Sequence, residues 1–286
     1  MTRTAALVIA ALLLPGCSRE APAPPTRAAD ASLRVVTLAP HLAELAFAAG
    51  AGEQLVGVSA YTDYPPEVAE LPLVGDAFTV DLEQLQLLDP DLVLAWGSGM
   101  PAHTIEGIES AGFRVVTLVT RSLDDVAAAV EEIGRLTGNE ASAGREAQRF
   151  RDRIAALDSR YGRLQPVRIF YQVSARPLYT INGDHFISEL IEVCGGQNVF
   201  ASLSGLAPAI DVEAVLASDP GAIIVGKGAA DLDPWRRFET LTAARAGNLL
   251  VVDAAHLARA STRLDDAGEQ LCEVIVQARQ NLERVD

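Results

Sequence analysis

Short apolar runs recur along the chain and alternate with stretches in which apolar residues follow a helical spacing. Most of these runs are continuous in valine, isoleucine and leucine, with no polar residue at alternate positions. Strands of this kind are buried on both faces, as in a parallel sheet that helices cover. The predicted strands lie at residues 34–38, 55–59, 92–96, 114–118, 167–173, 177–181, 222–226 and 249–253. The pattern therefore predicts an α/β fold.

A long segment without proline separates the first group of predicted strands from the second. Residues 139–164 are rich in alanine, arginine and glutamate, and Asn139 or Ser142 can cap the start of a helix there. At 1.5 Å per residue, a helix of some 22 residues is about 33 Å long, which spans a whole lobe. We therefore predict two doubly wound α/β lobes, residues 33–138 and 165–286, that one long helix joins.

One phrase occurs twice, as VDLEQLQLLDP at residues 80–90 and as IDVEAVLASDP at residues 210–220. In each copy the first aspartate can accept the free backbone N–H groups of a helix start, and Asp-Pro ends the helix. Glu83 and Glu213 then lie in the first turns of equivalent helices. Each carboxylate either complements a helix dipole, or the two form matched acidic contacts for a partner with two-fold symmetry.

The composition and the motifs limit the possible functions. The formal net charge is −15 and Lys227 is the only lysine, which argues against nucleic acid or anionic lipid as a partner. The sequence has no nucleophile elbow, no phosphate-binding loop and no zinc-protease motif. The four histidines are far apart in the chain, and each alone is interpreted as a surface or loop residue. We predict no enzyme, no metal site and no cofactor; an enzyme whose catalytic groups converge from distant loops is the alternative.

The start of the chain is typical of an exported protein. Residues 1–16 combine a basic residue with an apolar run that is too short to span a membrane, which predicts a secretory signal. The motif LPGC resembles a lipidation site that ends at Cys17, and plain signal cleavage nearby is the alternative. Residues 17–32 are rich in proline and alanine and predict a tether.

Two further cysteines, Cys194 and Cys272, remain after Cys17. Export brings the chain into an oxidising compartment, where a pair of cysteines tends to be bridged. The alternative is two buried free thiols.

Several aromatic residues lie where predicted strands end and loops begin, among them Tyr61, Trp96, Tyr179 and Phe186. In open α/β sheets, ligands bind beyond the carboxyl ends of the strands. Two lobes place two such edges face to face, so the cleft between them is the predicted site. Aromatic side chains there suit a large, flat, partly apolar ligand, whereas ordinary core packing is the alternative for each ring.

Four segments of the chain resemble the periplasmic vitamin B12-binding proteins of ABC importers. They are residues 34–67, 80–99, 190–201 and 257–272, and the similarity extends over the chain from about residue 33. The motifs YTDYPPE, CGGQNVF and RAS-R are rather specific to this branch. The wider family also takes ferric siderophores and haem.

The resemblance implies two α/β lobes on one rigid helix, with little closure on binding. It implies a periplasmic monomer that delivers a corrinoid to a homodimeric permease with its ATPase subunits. Glu83 and Glu213 would dock onto arginines of the permease, one on each subunit. It also implies a disulfide between Cys194 and Cys272. Together with the LPGC motif, we predict contact with the membrane only through a lipid on Cys17.

The resemblance also implies a ligand site near Tyr61 and the segment 255–259. The predicted ligand-binding residues are Tyr61, Phe78, Trp96, Tyr179, Ala255, His256, Leu257, Ala258 and Arg259. His256 would be placed to approach a metal centre of the ligand.

The chain departs from the family inside the predicted site. It has Ala77, Val173 and Ala207 where the relatives carry tryptophan or phenylalanine, and Phe78 is next to the first of these positions. Cobinamide, haem or a ferric siderophore therefore stay open as alternatives to vitamin B12. The alternative from another class is an exported enzyme with its active site in the cleft.

Overall fold

A computed structural model describes residues 32–76, 78–229, 231–252 and 257–285 of the 286-residue chain. The predicted signal, Cys17 and the predicted tether up to residue 31 lie outside the described residues. From Leu33 onward the chain forms one compact unit. In this described part, no helix combines the length and the apolar character needed to cross a membrane.

The N-terminal lobe is built on a parallel sheet of four strands in the order β2-β1-β3-β4. The strands are β1 (Val35–Thr37), β2 (Leu55–Val58), β3 (Leu92–Trp96) and β4 (Val115–Leu118). The helices are α1 (Pro40–Ala49), α2 (Leu82–Leu88), α3 (Ala102–Ser110) and α4 (Leu123–Thr137). Short 3-10 turns lie at Gly52–Gln54 and Pro66–Glu70. The central strands are buried almost throughout, as their continuous apolar runs predict.

The C-terminal lobe repeats this arrangement with the strand order β10-β9-β5-β8, again all parallel. Its main strands are β5 (Val167–Gln172), β8 (Gly196–Asn198), β9 (Ala222–Gly226) and β10 (Leu249–Val252). Its helices are α6 (Phe186–Val193), α7 (Val212–Ser218), α8 (Asp233–Arg236), α9 (Thr242–Arg245) and α10 (Leu264–Leu282). The predicted class of two α/β lobes is confirmed.

One predicted strand of this lobe is wrong. Residues 177–181 supply only the two-residue strand β7 (Leu178–Tyr179), which forms an antiparallel hairpin with β6 (Ser174–Ala175) outside the main sheet. The fourth strand of the main sheet is β8, which reads Gly-Gln-Asn and therefore has no apolar signal. Hydrogen bonds hold it in place, since buried Asn198 donates its amide to Ser188 Oγ at 2.7 Å and to the carbonyl of Ile181 at 2.9 Å.

The connecting helix α5 covers Glu140–Tyr161. The predicted side-chain cap does not form: Asn139 precedes the helix but accepts no hydrogen bond from its first turn, and Ser142 lies inside the helix. The Asn139 amide donates to Gln54 Oε1 at 3.1 Å. Ion pairs fix the helix on both sides. Arg151 binds Glu131 of α4 at 2.7 Å, and Arg149 binds the buried carboxylate of Asp265 in α10. The helix is thereby attached to a neighbouring helix from each lobe.

The repeated phrase forms the same local structure in both lobes. Asp81 accepts a hydrogen bond from the N–H of Gln84 at 2.9 Å, and Asp211 accepts one from Ala214 at 2.7 Å. Each helix ends at an aspartate in the left-handed conformation, with φ of 43° and 40°. α2 and α7 are thus equivalent helices that begin, end and lead into a buried strand in the same way.

A disulfide joins the end of α6 to α10. Cys194 and Cys272 are fully buried and form a disulfide with each other. The alternative of two free thiols is therefore wrong.

Replacing both cysteines with alanine is expected to lower the free energy of unfolding by about 4 kcal/mol, because the bridge closes a loop of 78 residues. Urea unfolding of the mature chain measures this difference. Reducing agent should lower the midpoint of the parent and leave that of the double variant unchanged. Equal midpoints for parent and double variant would contradict a stabilising bridge.

Candidate functional site

A cavity of about 360 Å³ lies between the lobes, and every strand of the N-terminal sheet delivers residues to it. His41 follows β1, Tyr61 follows β2, Trp96 ends β3 with Ser98 just after it, and Thr120 follows β4. The site is therefore at the carboxyl edge of the sheet, where ligands of open α/β folds bind.

The C-terminal lobe forms the opposite wall of the cavity. His185 and Phe186 contribute from the start of α6, Leu206 from a loop, and residues 258–260 from the segment that precedes α10. The wall is mainly apolar. Arg259 is the one residue with a fixed charge among the described residues that line the cavity.

Four of the predicted ligand-binding residues line this cavity. Tyr61 and Trp96 come from the N-terminal lobe, and Ala258 and Arg259 from the C-terminal lobe. The Trp96 ring lies over Gly99, where a Cβ atom would be only 2.1 Å from the ring. Glycine at this position is therefore required for the orientation of Trp96.

The other predicted ligand-binding residues have different surroundings. Phe78 is 67% exposed on a turn, and Tyr179 lies in the small hairpin; neither is among the described residues that line the cavity. Leu257 is fully buried and packs in the hydrophobic core. Ala255 and His256 lie outside the described residues.

His41 and His185 both line the cavity. The interpretation as a surface or loop residue is wrong for His41, which is buried in α1, whereas His185 is indeed a loop residue, half-buried just before α6. His41 is 7% exposed and its ring meets Trp96 edge to face at 5.3 Å. His185 accepts a hydrogen bond at Nδ1 from the N–H of Ile187 at 3.1 Å, which places its proton on Nε2. The sequence feature that could have identified them is their position, since His41 follows a predicted strand and His185 precedes a helix.

Burial keeps both histidines neutral. It lowers the pKa of His41 from 6.5 to about 4, with a smaller contribution from the charge of Arg259. Burial alone lowers the pKa of His185 to about 4. At neutral pH the cavity therefore contains two uncharged imidazoles.

Hydrogen bonds join the YTDYPPE and RAS-R motifs across the lobes. Arg259 donates to Glu44 Oε1 at 2.9 Å, to the carboxylate of Asp63 and to the carbonyl of Tyr61 at 3.0 Å. Ser261 donates to the second oxygen of the buried Glu44 carboxylate at 2.6 Å. We call Glu44, Tyr61, Asp63, Arg259 and Ser261 the interlobe clamp. The hydrogen bond that Arg259 donates to Asp63 holds the pKa of the Asp63 carboxyl below its usual value.

The clamp fixes an unusual backbone conformation at the cavity mouth. Tyr61 has a φ of 65°, in the left-handed region that is unfavourable for a bulky side chain, and its ring is 83% exposed. The hydrogen bond from Arg259 to its carbonyl stabilises this conformation. Backbone strain that holds an exposed aromatic ring over a cleft is typical of functional positions.

Glu83 and Glu213 lie away from the cavity lining, in the first turns of α2 and α7. Both side chains are exposed. No ion pair or side-chain hydrogen bond ties either of them to the rest of the described chain. Both carboxylates are therefore available to an outside partner.

The lowered pKa of His41 predicts a loss of stability in mild acid. The unfolded chain takes up a proton at this histidine below pH 6.5 and the folded chain only near pH 4, so stability falls as the pH drops between these values. Between pH 7 and pH 4.5 we expect the parent to lose about 2 kcal/mol more than His41→Asn. Urea unfolding at both pH values measures this, with His103→Asn at an exposed site as the control. Equal losses in parent and His41→Asn would contradict the prediction.

Comparison with known proteins agrees with this architecture. A model of the periplasmic binding protein family matches residues 35–254. The chain is 36% identical over 241 residues to a vitamin B12-binding protein of Vibrio cholerae, which covers 84% of this chain and 87% of that protein. It is 32% identical over 256 residues to a vitamin B12-binding protein of Pectobacterium atrosepticum, with 86% and 89% covered.

Solved structures give the same result. The crystal structure of the periplasmic vitamin B12-binding protein of Vibrio cholerae superposes with a TM-score of 0.79 at 34% identity, over 86% of this chain and 98% of that one. A periplasmic haem-binding protein of Roseiflexus sp. RS-1 superposes with a TM-score of 0.74 over 88% and 100%, but at 22% identity it shows the fold alone. From the family match and the relatives above 30% identity, the chain belongs to the periplasmic binding protein family.

Proposed function

We propose that this chain is the substrate-binding protein of an ABC importer and that it captures a corrinoid, vitamin B12 or a relative such as cobinamide, between its lobes. The observation that carries the proposal is the lining of the cleft. Its described residues are mainly aromatic, apolar or uncharged polar, and the one with a fixed charge among them, Arg259, is already paired. The names of the relatives above 30% identity support the same ligand.

The cleft suits the chemistry of a corrinoid. A corrin is a broad ring with apolar faces and neutral amide groups along its edge. The rings of Tyr61 and Trp96 offer apolar faces on one side, and Phe186 offers another on the opposite wall. The cavity volume of about 360 Å³ is within the range of ligand pockets. Because the cleft is open, the remainder of a larger ligand extends beyond it.

Haem and ferric siderophores are the alternative ligands. Haem carries two carboxylates, which a cleft binds best with unpaired cationic side chains. Among the described residues that line the cavity, Arg259 alone has a fixed positive charge, and Glu44 and Asp63 already neutralise it. This lining favours a neutral ligand. An exported enzyme is the weaker alternative, because the relatives above 30% identity are named as binding proteins.

The proposal includes a location and a partner. The protein works in the periplasm without enzymatic activity of its own, tethered to a membrane by a lipid on Cys17. It delivers the ligand to a homodimeric permease through Glu83 and Glu213. Their equivalent, exposed and unpaired positions support this role.

The two tryptophans allow a direct test. Trp96 lines the cavity, whereas Trp235 is buried in the C-terminal lobe, where it donates to Gln172 Oε1 at 2.7 Å. Cyanocobalamin, dicyanocobinamide, haemin and a ferric siderophore are titrated separately against Trp235→Phe and Trp96→Phe variants. We expect saturable quenching by the two corrinoids, stronger in Trp235→Phe, where Trp96 alone reports. No saturable response to either corrinoid would reject the proposed ligand.

Tyr61→Gly is expected to weaken cyanocobalamin binding by about 1–3 kcal/mol, because a large aromatic contact is lost. Glycine accepts the φ of 65° without strain, so the variant should be at least as stable as the parent. Calorimetric titration and thermal unfolding measure the two effects separately. Tyr61→Phe keeps the ring and should bind like the parent. Unchanged affinity in Tyr61→Gly would show that the Tyr61 ring does not contact the ligand.

A further inference from the structure

Buried polar atoms without a partner cluster at the floor of the cleft. In the described part of the chain, five buried side-chain nitrogen or oxygen atoms lack a hydrogen-bond partner. One of them is in the C-terminal helix. The other four belong to residues at the carboxyl edge of the N-terminal sheet, namely Thr37 Oγ1, His41 Nε2, Ser98 Oγ and Thr120 Oγ1.

Such clustering is unusual. Folded proteins pair nearly all buried polar groups, because an unpaired one costs the free energy of its lost hydration. Packing faults would be scattered through both lobes. Here His41, Ser98 and Thr120 all line the same cavity, and both His41 and Thr120 are more than nine-tenths buried. The cavity is therefore the space from which a partner can reach these three side chains once they turn towards it.

The chemistry of these groups defines the partner. A serine or threonine hydroxyl both donates and accepts, and a neutral imidazole has one donor and one acceptor nitrogen. Burial keeps His41 uncharged, as its lowered pKa indicates. Across the cavity, His185 presents its Nε2–H. None of the described lining residues is a carboxylate, and Arg259 is held by Glu44 and Asp63.

We propose that His41, Ser98 and Thr120 form a subsite that hydrogen-bonds the neutral amide groups along the edge of the ligand and selects them over carboxylates. The inference rests on the proposed function and adds the source of its specificity. On binding, a rotation about χ1 turns each hydroxyl towards the ligand amides. An amide both donates and accepts hydrogen bonds, so it can pair with the two hydroxyls and with the imidazole of the subsite. A carboxylate only accepts, and no unpaired cation among the described lining residues offsets its charge.

The test compares two probes that differ in one group. Cyanocobalamin and its monocarboxylic acids, made by hydrolysis of a single side-chain amide, are titrated by calorimetry against parent and variants. In the parent, at least one monocarboxylic acid should bind about 10-fold more weakly than cyanocobalamin. In Ser98→Ala with Thr120→Val, cyanocobalamin should bind about 3- to 10-fold more weakly for each hydroxyl lost, and the difference between the two probes should shrink.

Two controls separate a binding role from a structural one. Thr120→Val removes an unpaired buried hydroxyl at nearly constant shape, so the unfolding midpoint should stay the same or rise while affinity falls. Thr120→Ser keeps the hydroxyl and should restore affinity. Thr117→Val changes an exposed threonine on β4, three residues before Thr120, and should bind like the parent.

The outcomes also separate this proposal from the function on which it rests. If the parent binds neither cyanocobalamin nor dicyanocobinamide, the corrinoid function itself fails. If the parent binds cyanocobalamin and the double variant keeps both its affinity and its discrimination against the acids, the subsite is refuted. The floor then holds ordered water only.

Discussion

Replacing Glu83 and Glu213 together with alanine is expected to stop corrinoid uptake in cells that lack the parent protein. Both glutamates are exposed at the same position of equivalent helices, and neither has a partner in the described chain. The proposed homodimeric permease would offer two equivalent basic sockets. One binding protein fills both only if its two lobes present the same group, which the repeated phrase provides.

The magnitudes distinguish docking from a simple helix-dipole role. Breaking a charged contact at a desolvated interface costs about 2–5 kcal/mol for each site. Losing a helix-dipole interaction costs well under about 1 kcal/mol of fold stability. Ligand affinity and the melting temperature should therefore change little in the double variant, whereas binding to the permease should be lost. Replacing both glutamates with arginine should weaken binding to the permease more than alanine does, because arginine would face the basic sockets with a charge of the same sign.

A matched control uses exposed glutamates elsewhere on both lobes. Glu109→Ala with Glu273→Ala changes one exposed helical glutamate in each lobe and should leave uptake intact. Uptake of radiolabelled cyanocobalamin measures all variants. Normal uptake by Glu83→Ala with Glu213→Ala would contradict the docking role and leave both residues with a local role in helix stability only.

Arg259→Met is expected to lower the free energy of unfolding by about 3–5 kcal/mol, because it leaves the buried carboxylate of Glu44 without its main partner. The side chain of Glu44 is only 3% exposed, so water replaces little of the lost hydrogen bonding. Arg263 is 3.5 Å from the same carboxylate and its other contact is the ring of Tyr64, so it compensates only in part.

A double-mutant cycle isolates this pair. Glu44→Gln with Arg259→Met removes both charges and should recover most of the lost stability in urea unfolding. Arg236→Met breaks an exposed pair with Asp233 and should cost about 0–1 kcal/mol. If Arg259→Met lowers the free energy of unfolding no more than Arg236→Met does, the interlobe clamp contributes little to the stability of the contact between the lobes.

The apolar pattern predicts most of the fold because buried parallel strands need continuous apolar runs. β3 and β9 coincide with the predicted runs at residues 92–96 and 222–226 for this reason. β8 could not be predicted in this way, since its Gly-Gln-Asn sequence is held by the hydrogen bonds of Asn198. Local signals set the helix ends of the repeated phrase, where one aspartate caps the start of each helix and a second aspartate ends it.

The cleft was only partly predictable. Tyr61 and Trp96 could be found because aromatic rings at strand ends stand out in the sequence. His41 is a single polar residue after a strand and carries no periodicity, so its burial becomes visible only when the lobes come together. The role of Glu44 depends on Arg259, 215 residues further along the chain, which no local pattern connects.

Calorimetric titration of the mature chain with cyanocobalamin at neutral pH, with haemin titrated in parallel, decides whether the cleft binds a corrinoid. We expect saturable binding of one cyanocobalamin per chain at micromolar concentration or below, competition by dicyanocobinamide and weaker binding of haemin. Saturable binding of haemin without any binding of cyanocobalamin or dicyanocobinamide at micromolar concentration would contradict this expectation.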